Sequence, residues 1–314
     1  MLRPFPALLV AMATLALLSC GGGDEPDTPS TAKDSTAPQP GAVKLARTAS
    51  GPNAKASSGV ISAEGMITIK GVPGFEEPFS NMISGPFQVR KGAALPDYEL
   101  EVGVRDYGVT LTSVGGKSYV TLGTTAYELP ASVRQRLIRT SRRGRNGLTR
   151  TLEQFGLAPW RWETEQRIAG TEEIDGVPTT HIATSFNAGR ILRDANTLLG
   201  FMRSLGITRA TGLPPTIGAK ARRVFVRGVT TKVGGSWIGV TDTVLRQAGF
   251  TMRFAVAKAD RARLSGITGG SVVAKLDVTE VGEPQTIEVP TNIGSFADFK
   301  LALDALGDAR EGGR

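Results

Sequence analysis

Apolar and polar residues alternate with a period of two through much of this chain, which restricts it to a sheet with one wet face. In the segment DYELEVGVRD, starting at position 97, Tyr98, Leu100, Val102 and Val104 share one side, and Glu99, Glu101 and Arg105 share the other. Met252, Phe254 and Val256 alternate with Thr251, Arg253 and Ala255, and Ala274, Leu276 and Val278 oppose Lys275, Asp277 and Thr279. Strands covered on both faces read instead as unbroken apolar runs, so the pattern predicts an antiparallel sheet. Segments 60–70, 78–90, 109–114, 117–128, 162–173, 178–185, 222–228 and 236–246 complete a predicted meander of about ten or eleven strands. Gly115-Gly116, Asp175-Gly176 and Gly234-Gly235 read as its hairpin turns.

Helical spacing interrupts the alternation. Pro130 opens a segment to about Gly144, and a second runs from Asn146 to Phe155, with Leu148, Leu152 and Phe155 on one stripe. From Asn187 to Leu205, Ile191, Ala195, Leu198, Met202 and Leu205 form an apolar face, opposite Arg190, Arg193, Asp194, Asn196 and Arg203. A short last helix starts at Ser295, with Asp298 placed to complete a capping box and Phe296, Phe299 and Leu303 facing inward.

An open sheet of this size must curl or split. The fold class predicted is mainly β (α+β): a curved antiparallel half-barrel with helices covering its concave face. Two helical inserts can cover that face without filling it, which leaves an apolar cavity with Ile191, Leu198 and Met202 of the long helix as candidate lining.

The N-terminus addresses the chain. A single Arg3 precedes an apolar run from Ala7 to Leu18, which ends in Ser19-Cys20. A charged start, a short apolar core and small residues at the cut describe a secretory signal peptide, too short to span a bilayer. Leu17-Leu18-Ser19-Cys20 resembles a bacterial lipobox, in which the cysteine thiol takes a diacylglycerol and the peptide is cut before it. Residues 1–19 are therefore read as signal peptide, 20–57 as lipidated Cys20 and a disordered tether, and 58–310 as the folded domain. The tether is rich in Gly, Pro, Ser, Thr and Ala and has little apolar surface to offset its ordering entropy. The location expected is the extracytoplasmic face of the cell membrane, or the outer membrane in a diderm host. Cys20 is the only cysteine, so no disulfide can form and the domain must hold by its core.

The formal charge is +8, from 37 Lys and Arg against 29 Asp and Glu. It is concentrated: positions 131–150 carry Arg134, Arg136, Arg139, Arg142, Arg143, Arg145 and Arg150 with no acid. Export argues against nucleic acid as the partner, leaving an anionic membrane surface or a solvated helix face. Arg139, Arg142, Arg143 and Arg145 are the membrane-contact candidates.

Catalytic motifs are missing from the sequence. The one histidine, His181, sits in a strand pattern and cannot make a zinc site without free cysteines. Gly234-Gly235-Ser236-Trp237-Ile238-Gly239 misses the nucleophile-elbow spacing, and neither a phosphate loop nor a dinucleotide fingerprint is present. Trp160 and Trp162 can stack on a ligand or anchor a helix-to-strand turn. The expectation is a protein that is not an enzyme, with no cofactor and no metal.

Arg161-Trp162-Glu163, followed by the stretch from Gly170 to Ile182 (GTEEIDGVPTTHI) and a long helix, resembles the actinobacterial lipoproteins of the LppX/LprA/LprF/LprG type, which share a fold with the LolA and LolB carriers. The resemblance extends over about 58–292 in order of elements, while the arginine-rich 131–150 segment and a longer 206–235 region depart from it. It implies a half-barrel whose cavity takes acyl chains, with no catalytic residues to carry over. The function expected is binding, and transfer, of lipid or lipoprotein acyl chains in the envelope. The partners expected are a lipid or acylated ligand, an anionic membrane surface and an envelope transporter. The alternative is a non-enzymatic envelope module with a packed core, whose basic face binds an anionic polymer or protein.

Overall fold

A computed structural model describes residues 39–50, 56–72, 77–104, 107–141, 147–210, 215–264 and 266–312. Twelve strands among them form one curved sheet that does not close. The chain does not wind through it as a single meander. Strands β1 (Ser58–Lys70), β2 (Phe79–Gln88), β3 (Asp97–Val104), β4 (Tyr107–Val114), β5 (Lys117–Leu122) and β6 (Thr125–Glu128) step outward from the centre to one side. Helices α2 (Ala131–Ser141) and α3 (Gly147–Glu153) and a 3-10 turn at Pro159–Arg161 then carry the chain to the opposite edge. From there β7 (Glu163–Ile174), β8 (Val177–Phe186), β9 (Val229–Gly239), β10 (Leu245–Ala255) and β11 (Gly269–Thr279) step back, and β11 pairs with β1 from Val60↔Thr279 to Lys70↔Gly269. A last short strand, β12 (Ile293–Gly294), lies parallel to β6, the one departure from antiparallel pairing among the described residues.

The alternation sorts residues onto the faces as expected. Tyr98, Leu100, Met252, Phe254, Leu276 and Val278 are buried, whereas Glu99, Glu101 and Arg253 are exposed. Gly115-Gly116 and Asp175-Gly176 make the predicted tight turns, all four residues having positive φ.

Gly234-Gly235 is no turn; it lies in the middle of β9. A Cβ on Gly234 would stand 1.8 Å from the Gly249 carbonyl oxygen and 2.6 Å from the Phe186 ring, so glycine there serves close approach between neighbouring strands. Segment 222–228, predicted as a strand, belongs to helix α6 (Ala219–Gly228), where Ala221, Val224 and Phe225 are buried at helical spacing. Short runs of this composition satisfy both periods, and the contact with β10 selects the helix.

A further correction falls on the tether. Pro40–Ser50 is a helix, α1, with Ala42, Ala46 and Ala49 buried, although this stretch was expected to be disordered. Alanine forms helix well and needs little apolar area when a flat sheet face receives it. The rest of the expected tether that precedes it, and Cys20 with the signal sequence, lie outside the described residues.

The long helix α4 (Ala188–Ser204) is capped by Asn187, whose side chain accepts from the Arg190 amide, and is followed by the short α5 (Ile207–Ala210). A four-residue helix, α7 (Lys258–Arg261), precedes β11. The last helix, α8 (Phe296–Gly312), begins with the predicted box, Ser295 Oγ and Asp298 bonding one another's backbone amides, but runs 17 residues rather than being short. Side chains from α2, α3, α4, α6 and α8 meet the concave face in one continuous core around Ile61, Phe87, Tyr98, Trp162, Phe250 and Phe299. Burying each large apolar side chain contributes about 1.5–3 kcal/mol.

Candidate functional site

Helix α1 stands apart from that core. Ala42, Ala46 and Ala49 pack with Ile182 and Ile238 in a separate small cluster. Between α1 and the main core runs a crevice on the concave side of β7 to β11. Ala46 and Ala49 form its roof, Leu148 and Leu152 of α3 and Trp160 one wall, and Phe186, Ile238, Ala248 and Leu276 its floor. The crevice has room for a water or two, about 30 Å³, and is too narrow for an acyl chain.

Ile191, Leu198 and Met202 are 2%, 8% and 8% exposed within the main core, and none of them lines this crevice. Of the two tryptophans, Trp162 is fully buried and donates its indole N–H to Asp194, anchoring the turn. Trp160 is the one that reaches the crevice.

One carboxyl interrupts the apolar lining. Glu163, the first residue of β7, lines the crevice and accepts from the Ser236 hydroxyl over 2.7 Å and from the Gln166 amide. Burial pushes its pKa above the usual carboxylate range, partly offset by the bonds from Ser236 and Gln166. In the sequence Glu163 stands out only as part of Arg161-Trp162-Glu163, and a glutamate opening a strand carries no sign of where it points.

Gln166 belongs to an irregular stretch of β7, where the register with β8 shifts between Thr164 and Arg167 and Glu165 has φ 55°. The amides and carbonyls freed there bond the residue before α1: the Gln39 amide donates to the Gln166 carbonyl (2.8 Å), and the Ile168 amide donates to Gln39 Oε1 (3.0 Å). The helix over the crevice is therefore hung from the same bulge that supplies a partner to Glu163.

The arginine block divides. Arg134 donates to the Gly116 carbonyl and Arg150 to Ala93 and Ala94, bracing α2 and α3 against loops, while Arg136 donates to Gly200 and ties α2 to α4. Arg139 is exposed. Arg142, Arg143 and Arg145 lie outside the described residues.

On the convex face, His181 stacks on Trp237 with ring centroids 4.3 Å apart, and Glu172 joins them, 2.9 Å from His181 Nδ1 and accepting from the Trp237 indole N–H over 2.8 Å. This trio ties β7, β8 and β9 together. Among the described residues no group of three or more His, Cys, Asp and Glu could hold a metal ion, and no helix is long and apolar enough to cross a membrane.

This chain is similar in structure to mycobacterial LppX-type lipoproteins. LppX of Mycobacterium tuberculosis superposes over 79% of this chain and 99% of its own, with 14% identity and a TM-score of 0.40. LprF from Mycobacterium bovis matches over 81% and 99%, with 13% identity and a TM-score of 0.39. A LolA superfamily protein from Nitrosomonas europaea matches over 79% and 94%, with 10% identity and a TM-score of 0.23. No family model and no curated protein matches the sequence.

Proposed function

We propose that this protein is a lipid-binding lipoprotein of the cell envelope, anchored through a diacylated Cys20, that takes an acyl chain into the crevice beneath α1. The observation carrying this reading is the apolar crevice roofed by a helix with a cluster of its own. A roof of alanines gives up little apolar area on lifting, whereas opening the main core would expose many large side chains. Each methylene taken from water is worth about 0.8 kcal/mol, so one long chain can outweigh the displaced alanines. In this reading the structure is the closed form. Ile191, Leu198 and Met202 would meet ligand only if the opening spreads into the core.

Arg139, Arg142, Arg143 and Arg145 would hold the domain against anionic headgroups, each near-surface arginine contributing about 1 kcal/mol. Transfer between membranes, and hand-over to an envelope transporter, are the further steps of this proposal. The burial of Ile191, Leu198 and Met202 in the main core equally suits the alternative of a packed module whose basic face binds an anionic polymer or protein.

Native mass spectrometry of the Cys20→Ser protein, purified from its host without detergent, separates the two. Bound acyl lipid supports the carrier, and a lipid-free protein that also refuses added lipid supports the module. Metabolic labelling with a fatty-acid analogue tests the anchor: label on the wild type and none on Cys20→Ser is the result expected.

A further inference from the structure

Glu163 is the one ionisable residue lining a crevice whose other side chains are apolar apart from the hydroxyls of Thr149 and Ser236. A half-buried carboxyl is costly to keep in such a lining, because desolvating it can cost more than neutral hydrogen bonds return. Here Glu163 is held in a fixed orientation instead. Ser236, itself 4% exposed, donates to Oε1, and Gln166 donates to Oε2 from the bulge that also suspends α1. Each carboxyl oxygen keeps a second hydrogen-bonding position, and the carboxyl borders the crevice.

We propose that Glu163 is the specificity-determining residue of the crevice, and that it hydrogen-bonds the uncharged, hydroxyl-bearing head of a single-chain acyl ligand, of the glycerol-monoester kind, while rejecting a free fatty-acid carboxylate. This rests on the reading of the crevice as a lipid site. Two carboxylates in a desolvated pocket repel strongly, so at neutral pH a fatty acid enters only at the cost of taking up a proton, whereas a hydroxyl, donor and acceptor at once, suits a carboxyl in either protonation state. Apolar walls set no such preference: they measure only chain length and shape. Ser236 acts as a positioning residue, turning the carboxyl toward the crevice.

The test uses the full mature chain with Cys20→Ser and measures competition of monooleoylglycerol and oleate for a bound fluorescent acyl probe at neutral pH. The wild type is expected to prefer monooleoylglycerol by at least about tenfold. Glu163→Leu should bring the two within about twofold while keeping probe binding, and Ser236→Ala should weaken the preference in the same direction. Should Glu163→Leu not fold, Glu163→Gln, which removes the charge and keeps the shape, should raise oleate affinity selectively. Unchanged discrimination in the variants, or none in the wild type, overturns the assignment of Glu163 and leaves lipid binding standing. A wild type that binds neither the probe nor either lipid overturns the lipid site itself.

Discussion

Trp162 donates its indole N–H to Asp194 over 2.8 Å, and the Ala158 amide donates to the same carboxylate oxygen over 3.0 Å. The turn into β7 is thereby fastened to the middle of α4. Asp194→Ala should cost about 2–3 kcal/mol in urea denaturation, since it strands two buried donors. Burial raises the Asp194 pKa, outweighing the hydrogen bonds and nearby arginines that lower it. Asp194→Asn keeps an acceptor without the charge and should stay within about 1 kcal/mol of wild type.

Glu163 makes stability fall with rising pH. Its folded pKa lies above the ordinary value, so the folded state holds the proton more tightly. Its stabilising contribution is complete below the ordinary glutamate pKa of about 4.3 and is lost as pH rises through the folded value. Thermal melts between pH 4 and 8 should show a shallower loss of Tm on the alkaline side in Glu163→Gln than in the wild type. Parallel curves would rule out this role.

Gly234 and Gly170 both lie in strands, with opposite expectations. A Cβ at Gly234 meets backbone at 1.8 Å, whereas nothing lies within 4 Å of one at Gly170. Gly234→Ala should break the contact of β9 with β10 and cost at least about 3 kcal/mol, or prevent folding. Gly170→Ala should change stability by less than about 0.5 kcal/mol.

Ala42, fully buried in the α1 cluster, is the place to lift the roof. Ala42→Glu places a charge against Ile182 and Ile238 and should detach α1 while the main core survives. The expected results are faster uptake of a fluorescent acyl ester and faster amide exchange confined to residues 39–50. Global unfolding at the same denaturant midpoint would accompany them.

The arginines should separate by role. Replacing Arg139, Arg142, Arg143 and Arg145 with Gln should weaken binding to phosphatidylglycerol vesicles at low salt and leave the melting temperature alone. Wild-type binding itself should fade as the Debye length shrinks from about 10 Å at 0.1 M to about 3 Å at 1 M. Arg150→Gln should do the reverse, lowering stability through the lost bonds to Ala93 and Ala94.

Residue by residue, the sequence already determined which face of each clear strand is buried, where α4 begins and ends, and where the Asp175-Gly176 hairpin turns. These depend on neighbours two to four positions away, and the local pattern contains them. Only the tertiary structure decided that β1 lies beside β11 and that β7 is sent to the far edge, since strand order depends on which edges meet after the chain crosses the concave face. The crevice was illegible for the same reason. Ala42, Ala46 and Ala49 look like tether in sequence, because small side chains gain burial only when a flat surface is brought to them. Glu163 looks like any polar residue at a strand start, and it becomes a half-buried carboxyl facing the crevice only because Ser236, 73 positions away, and helix α1 close around it.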